Sequence, residues 1–375
     1  MNYTDWKEKR LFGRYISAAH LEPVFADFRD QSTTIGLSVL KQPIRLLKFG
    51  YGPKKILLWS QMHGNESTTT KALFDAINYF QSQPDLQNSL TLYCIPMLNP
   101  DGADAYTRVN ANQVDLNRDF LNTSQPETKA LLDVYDSVKP DFCFNLHDQR
   151  TIFGVGYTGK PATVSFLAPA FNDQCEINAV RQQAISVISA MNNRLQELIP
   201  GHIGRFDDTY NRNCVGDTFQ TFGTPTILVE AGHFAMDYDR EETRMLIFES
   251  LIRAFRHINE NDFATIGVNE YLTIPENITN YFDFVYKNVK INYDSNEIIT
   301  NFAVQFEESL IDNRIQFTGK IVEIGTLLNV FGHVEYDAEG KWFSNNEGNT
   351  PKIGMLADFY IGSQKFSNGK PDNSN

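Results

Sequence analysis

Residues 56–66 read ILLWSQMHGNE. Four apolar residues run into a polar turn that presents a histidine and a glutamate three positions apart, with Gly64 and Asn65 between them. A short apolar run bounded by Gly and Pro upstream and Gly downstream reads as a buried strand. The residues that follow, 67–81, carry a helical pattern. Three more runs have the character of buried strands: 90–97, 141–146 and 226–229. A second helix is expected to start at Ser124, because Ser124-Gln125-Pro126-Glu127 has the form of a capping box with proline in the first turn. A third is expected over 173–198, where Ile177, Val180, Ala184, Val187, Ile188, Met191, Leu195 and Leu198 follow the 3.6-residue period. Strands alternating with helices predict a mostly parallel or mixed sheet between helical layers, an α/β/α sandwich.

The texture changes near residue 269. Val289, Ile291 and Tyr293 alternate, as do Ile315 and Phe317, and Val334-Glu-Tyr336 leads into a turn and Trp342. The expected division is therefore an α/β domain over 1–268 and a small β-rich domain over 269–366. The polar tail SNGKPDNSN, 367–375, is expected to be disordered.

The chain has 375 residues, 42% hydrophobic and 21% charged, with a net charge of −13. That excess of negative charge argues against nucleic acid, whose phosphates need clustered Lys and Arg, and against anionic lipid. The first twenty residues contain no apolar leader, and no run approaches the length of a membrane span, so the expectation is a soluble, cytoplasmic protein. Cys94, Cys143, Cys175 and Cys214 are scattered, which predicts free thiols and speaks against cysteine-ligated zinc.

Open α/β sheets form sites at the carboxyl ends of their strands. Reading those ends in order gives His63 with Glu66, then NPDG at 99–102, then His147, then Glu230. Catalytic zinc takes three protein ligands from His and Asp/Glu and leaves a position for water. His63, Glu66 and His147 would supply two imidazoles and a carboxylate. Glu230 is then the general base, or simply the partner of an arginine. The long polar loop NPDGADAYTRVNANQVDLNRDF (99–120) adds Arg108, Asn117 and Arg118. These suit an anionic substrate end or a developing oxyanion, or else make surface ion pairs. Asp115 either orients a ligating histidine or caps the turn.

Taken together, these stretches resemble the zinc carboxypeptidase family of metallopeptidases. The matching elements are His63-Gly-Asn-Glu66, Asn99-Pro-Asp-Gly102, Arg108-x-Asn110-Ala111, Val114-Asp-Leu-Asn-Arg118, Pro126-Glu-Thr128, Asn145-Leu-His147 and Val229-Glu-Ala-Gly232, over roughly 50–235. The resemblance implies a mixed eight-stranded sheet between helices. It implies one zinc ion on His63, Glu66 and His147, with Glu230 as general base and Arg108 beside the oxyanion. Asn117 and Arg118 would grip a peptide's free carboxylate, and Asp115 would hold a ligand histidine. Tyr210 is the nearest counterpart of the family's substrate-covering tyrosine, in a loose context. Asp148-Gln149-Arg150, after the third ligand, departs from the family's Ser-Tyr type continuation. Side-chain preference would be set between His147 and Glu230, a stretch that holds Asp207, Asp208, Arg212 and Asp217.

Three readings compete. The first is a metallocarboxypeptidase that cleaves a terminal or near-terminal amide of a peptide. The second is a zinc deacylase acting on N-acyl amino acids, which the trailing β domain brings to mind. The third is an inactive binding protein on the same fold.

Overall fold

The computed structural model describes residues 2–260, 263 and 267–372. Within them the chain divides into two compact units. One comprises 1–149 and 162–277, the other 150–161 and 278–375.

The first unit is built on an eight-stranded mixed sheet. Its strands are β1 Ser32–Leu37, β2 Pro43–Gly50, β3 Lys54–Trp59, β4 Leu90–Ile95, β5 Phe142–Asp148, β6 Val164–Leu167, β7 Ile203–Arg205 and β8 Thr226–Ala231. The spatial order is β1-β2-β4-β3-β5-β8-β6-β7. The central four, β4, β3, β5 and β8, run parallel. Every residue of β5 is buried, which is why these strands read as continuous apolar runs rather than alternations.

Alternate residues feed two cores. Ile56 and Leu58 of β3 pack in one with the helices Thr68–Gln81, Ala179–Leu198 and Glu241–Glu260. Leu57 and Trp59 pack in the other with the helices Pro126–Val138 and Val215–Thr221. The expected three layers follow from this period of two. Among the described residues no helix is long and apolar enough to cross a membrane.

The second unit is all β. A four-stranded sheet, ordered Arg314–Gly325, Asn296–Ile311, Tyr281–Tyr293 and Phe331–Asp337, accompanies a smaller antiparallel sheet that starts at Phe343–Ser344. Its core is aromatic: Tyr286 stacks on Phe302 at 4.6 Å and on Tyr336 at 5.3 Å.

Four expectations need correction. The helix expected over 173–198 starts at Ala179, where the Asn178 side chain accepts from the Arg181 N–H. The expected capping box at Ser124 is absent. Asp119 takes the Ser124 hydroxyl and the backbone N–H groups of Ser124 and Gln125, so the helix begins at Pro126 with Gln125 at its cap. The unit boundary falls at 277/278 rather than 268/269, and 150–161 goes with the second unit. There His333 Nε2 lies 2.7 Å from the Thr151 carbonyl, and Gln305 donates to the Thr151 hydroxyl at 2.7 Å. The tail is structured through Asp372, because Gln364–Ser367 pairs with Lys370–Pro371. The rest of it, 373–375, lies outside the described residues.

Candidate metal centre

Between β3 and the helix Thr68–Gln81 the chain turns sharply. Gln61 adopts a left-handed φ of 44°, uncommon for a residue with a side chain. Its buried amide donates to the carbonyls of Ile16 and Gly64 and accepts from the Thr70 hydroxyl. Gly64 then lies flat against the helix start at Gly102. A Cβ on Gly64 would come within 1.9 Å of the Gly102 carbonyl carbon, and one on Gly102 within 2.4 Å of the Asn99 side chain. Asn99 in turn caps the helix Pro100–Ala105 and reaches the Met62 carbonyl. The glycines of HGNE and NPDG are thus one packing requirement, which holds the His63–Glu66 turn at the sheet's carboxyl edge.

His63, Glu66 and His147 converge there, all three buried, with one potential ligand atom from each within 4.8 Å of the others. His63 Nδ1 lies 3.0 Å from His147 Nδ1 and 3.0 Å from Glu66 Oε1, and His147 Nδ1 lies 2.7 Å from Glu66 Oε2. His63 Nε2 lies 2.9 Å from Asp115 Oδ1. A proton shared on that side leaves the Nδ1 lone pair facing the centre. Zinc with ligand bonds of ~2.0–2.2 Å in tetrahedral array sets its donors ~3.4 Å apart, so these three fit a divalent ion after shifts of a few tenths of an ångström.

Glu230 lies directly across the β5–β8 ladder from His147 and is half-buried. Arg108, about half exposed, donates from Nε to Asp115 at 3.0 Å and from Nη1 to Glu66 at 3.2 Å. Asp115 also caps the short helix Leu116–Arg118 through the Asn117 N–H, so the same side chain meets His63 and closes the turn. The Asn117 carboxamide oxygen accepts from the Val215 N–H at 3.1 Å, which leaves its NH₂ as donor. Arg118 is exposed and bonds the Asn117 carbonyl at 2.8 Å. The Tyr210 hydroxyl sits 3.2 Å from Thr221, at the opposite end of the helix Val215–Thr221 from the Asn117 contact.

The ionisation of the group follows its neighbours. Burial would push the His63 imidazole down, but the carboxylates of Glu66 and Asp115 outweigh it and raise it. For His147 burial prevails and lowers it. Glu66 and Asp115 are both held far below the usual carboxylate range: burial opposes this, and the histidines, with Arg108 at Asp115, overcome it. Burial, and after it the charges of Glu66 and Asp148, push Glu230 well up, while Arg108 and Arg240 oppose them.

Residues 29–244, more than half of the chain, match the sequence signature of the family described as zinc carboxypeptidase. The chain belongs to the zinc carboxypeptidase family. It is 31% identical over 147 residues to Carboxypeptidase SOL1 of Arabidopsis thaliana, covering 32% of this chain and 30% of that one. It is 36% identical over 86 residues to Gamma-D-glutamyl-L-diamino acid endopeptidase 1 of Lysinibacillus sphaericus, covering 20% of this chain and 22% of that one. The matches thus span less than a third of either relative. Among solved structures, the metallo-carboxypeptidase from Burkholderia cenocepacia shares the fold at a TM-score of 0.53 and 18% identity, over 67% of this chain and 70% of that one. The carboxypeptidase A from Helicoverpa armigera does so at a TM-score of 0.52 and 15% identity, over 66% and 74%.

The departure from the family pattern after His147 has a structural use in this carboxypeptidase-family chain. Asp148 accepts from the first N–H groups of the helix Thr68–Gln81, at 2.9 Å from Thr68 and 3.3 Å from Thr69, while its own N–H donates to Glu66. The buried Gln149 ties to the Ala162 carbonyl and to Asn277. Sequence reading missed both roles, and it missed Arg240, whose side chain is wholly buried behind the strand ends. Only the DQR departure itself flagged the first two, and nothing local to residue 240 signals its burial.

Proposed function

We propose that this protein is a zinc-dependent carboxypeptidase that cleaves a terminal or near-terminal amide of a peptide bearing a free carboxylate. The observation that carries the reading is the convergence of His63, Glu66 and His147, with Glu230 registered opposite His147 on the neighbouring strand. His63, Glu66 and His147 would hold one zinc ion. When bound, zinc supplies a Lewis acid that brings the pKa of water to about 7, and a positive charge that offsets the burial and the carboxylates pushing Glu230 up.

Glu230 takes the proton of the attacking water at its carboxylate and returns it to the leaving nitrogen. Asp115 holds the His63 ring by its Nε2 and steers Arg108 through the guanidinium Nε. The Arg108 N–H groups not spent on Asp115 and Glu66 are available to the oxyanion. The Asn117 NH₂ and the Arg118 guanidinium are donors suited to a carboxylate. The Tyr210 hydroxyl is engaged with Thr221.

The test is Glu230→Gln, assayed against a panel of short peptides, γ-glutamyl–diamino acid peptides and N-acyl amino acids. Wild type should cleave a peptide class. The variant should keep its zinc and lose about 10²–10⁴-fold in turnover. Cleavage of N-acyl amino acids alone would turn the reading to a deacylase, and no cleavage of any of them by the zinc-loaded wild type would leave a binding protein.

A further inference from the structure

Arg240 has no solvent exposure, and its backbone is left-handed, with φ at 59°. Burying a guanidinium costs free energy unless each donor finds a partner, and a left-handed φ on a residue with a side chain adds strain. Its two terminal nitrogens are spent on one arrangement. Nη1 donates to the Ala231 carbonyl, and Nη2 donates to the Gln149 carbonyl at 2.8 Å. Ala231 is the residue after Glu230, and Gln149 lies two past His147.

The Ala231 carbonyl closes β8 and Gln149 directly follows β5, where the ladder registers His147 with Glu230 and Asp148 with Ala231. The Gln149 N–H adds a bond to the Ala231 carbonyl at 2.8 Å, and the ladder registers no pair past Asp148 with Ala231. The guanidinium therefore sits at the point where a pair of parallel strands would start to fray. Its rigid fork bonds one carbonyl from each strand. A lysine in its place has one nitrogen and no fixed spacing between donors.

We propose that Arg240 is a positioning residue that fixes the separation of the third metal ligand from the general base. The inference rests on the reading of His147 and Glu230 given above. Loss of the fork frees the two strand ends to shift against one another. A displacement of about 1 Å at reacting groups costs about 10²-fold in rate, and loosened support of a ligand costs about tenfold in metal affinity.

The test compares Arg240→Met and Arg240→Lys with wild type by three readouts. They are zinc affinity in competition with a chromophoric chelator, the visible absorption bands of the cobalt-substituted protein, and kcat and KM per metal-loaded molecule. Arg240→Met should show altered cobalt bands, about tenfold weaker zinc binding and about 10²-fold lower kcat with KM within about twofold. Arg240→Lys should fall between it and wild type. A folded Arg240→Met with wild-type bands, affinity and kcat per loaded molecule overturns the proposal, since a merely structural role lowers only the folded fraction. If Arg240→Met does not fold, Arg240→Lys decides in the same way. Should wild type bind zinc yet cleave no peptide, the affinity and the cobalt bands still report on Arg240, so that failure is told apart from this one.

Discussion

Asp217 is nearly closed off from solvent in the first turn of the helix Val215–Thr221, with the Asn211 N–H 3.4 Å from its carboxylate. Burial pushes its carboxyl up from 3.8 to about 6, against the opposing charges of Arg118 and Arg181. A carboxyl raised in the native state binds its proton more tightly there than in the unfolded chain. Its ionisation therefore destabilises the fold above about pH 6, and the cost vanishes as pH falls below the unfolded value of ~3.9. Two units correspond to about 3 kcal/mol at most. Asp217→Asn, which can still accept from the Asn211 N–H, should gain on the order of 2 kcal/mol over wild type at pH 7.5. The gain should disappear near pH 3.5. Urea titrations at the two pH values check this, and a gain independent of pH would refute it. Four charged residues of that stretch look equivalent in the sequence. Asp208 is committed to the buried Arg181, Asp207 caps the Thr209 N–H, Arg212 is exposed and Asp217 is enclosed. Only the fold sorts them, because burial is decided by residues far along the chain.

At the scale of elements, the arm ahead of the helix Ala18–Asp27 is fastened by a buried pair of charges, alongside the ion pair of Lys7 with Glu241 at 2.7 Å. Arg244, on the helix Glu241–Glu260, meets Asp75, on the helix Thr68–Gln81, through two bonds of 2.6 Å, and neither side chain has any exposure. The same guanidinium donates to the carbonyls of Leu11 and Glu8, while Asp75 accepts from the Glu8 N–H and the Tyr3 hydroxyl at 2.7 Å each. Removing one partner of such a pair leaves a buried charge alone. Asp75→Ala should cost about 3–5 kcal/mol in urea unfolding and open the arm to trypsin at Lys7, Lys9, Arg10 and Arg14. A cost under about 1 kcal/mol with a resistant arm would mean that other contacts hold it. None of this was legible, since Asp75 and Arg244 are 169 residues apart. The strands that were legible, β3, β4, β5 and β8, are those buried on both faces, where an apolar run needs no partner to be recognised. The half-exposed β1, reading STTIGL, gives no such signal. Ser124 failed as a cap because Asp119, which carries two acceptor oxygens, took the donors first.

At the scale of the molecule, the two units were visible as a change from helical to alternating periodicity. The join was not, because 150–161 leaves the α/β sequence to side with the second unit. The candidate group was legible for a physical reason: a parallel sheet delivers residues distant in sequence to one edge, so polar side chains closing apolar runs at 63, 147 and 230 arrive at the same edge. Its fastening was not legible, since Asp148, Gln149 and Arg240 act through backbone carbonyls and helix N–H groups that any residue owns. The same geometry sets an expectation for metal removal. Ligand-bound states gain RT ln(1 + [L]/Kd), about 4 kcal/mol when zinc is a thousandfold above Kd. For a unit of this size each kcal/mol moves the melting temperature by about 2–4 °C. A chelator should then lower the melting temperature of the wild type by about 10 °C, and added zinc should restore it. His147→Ala removes one imidazole from the three-donor set, so its melting temperature should scarcely respond to chelator. Calorimetry on both proteins decides: an equal chelator shift in the variant would place the stabilising ion elsewhere, and an unmoved wild type would mean that these three side chains hold none.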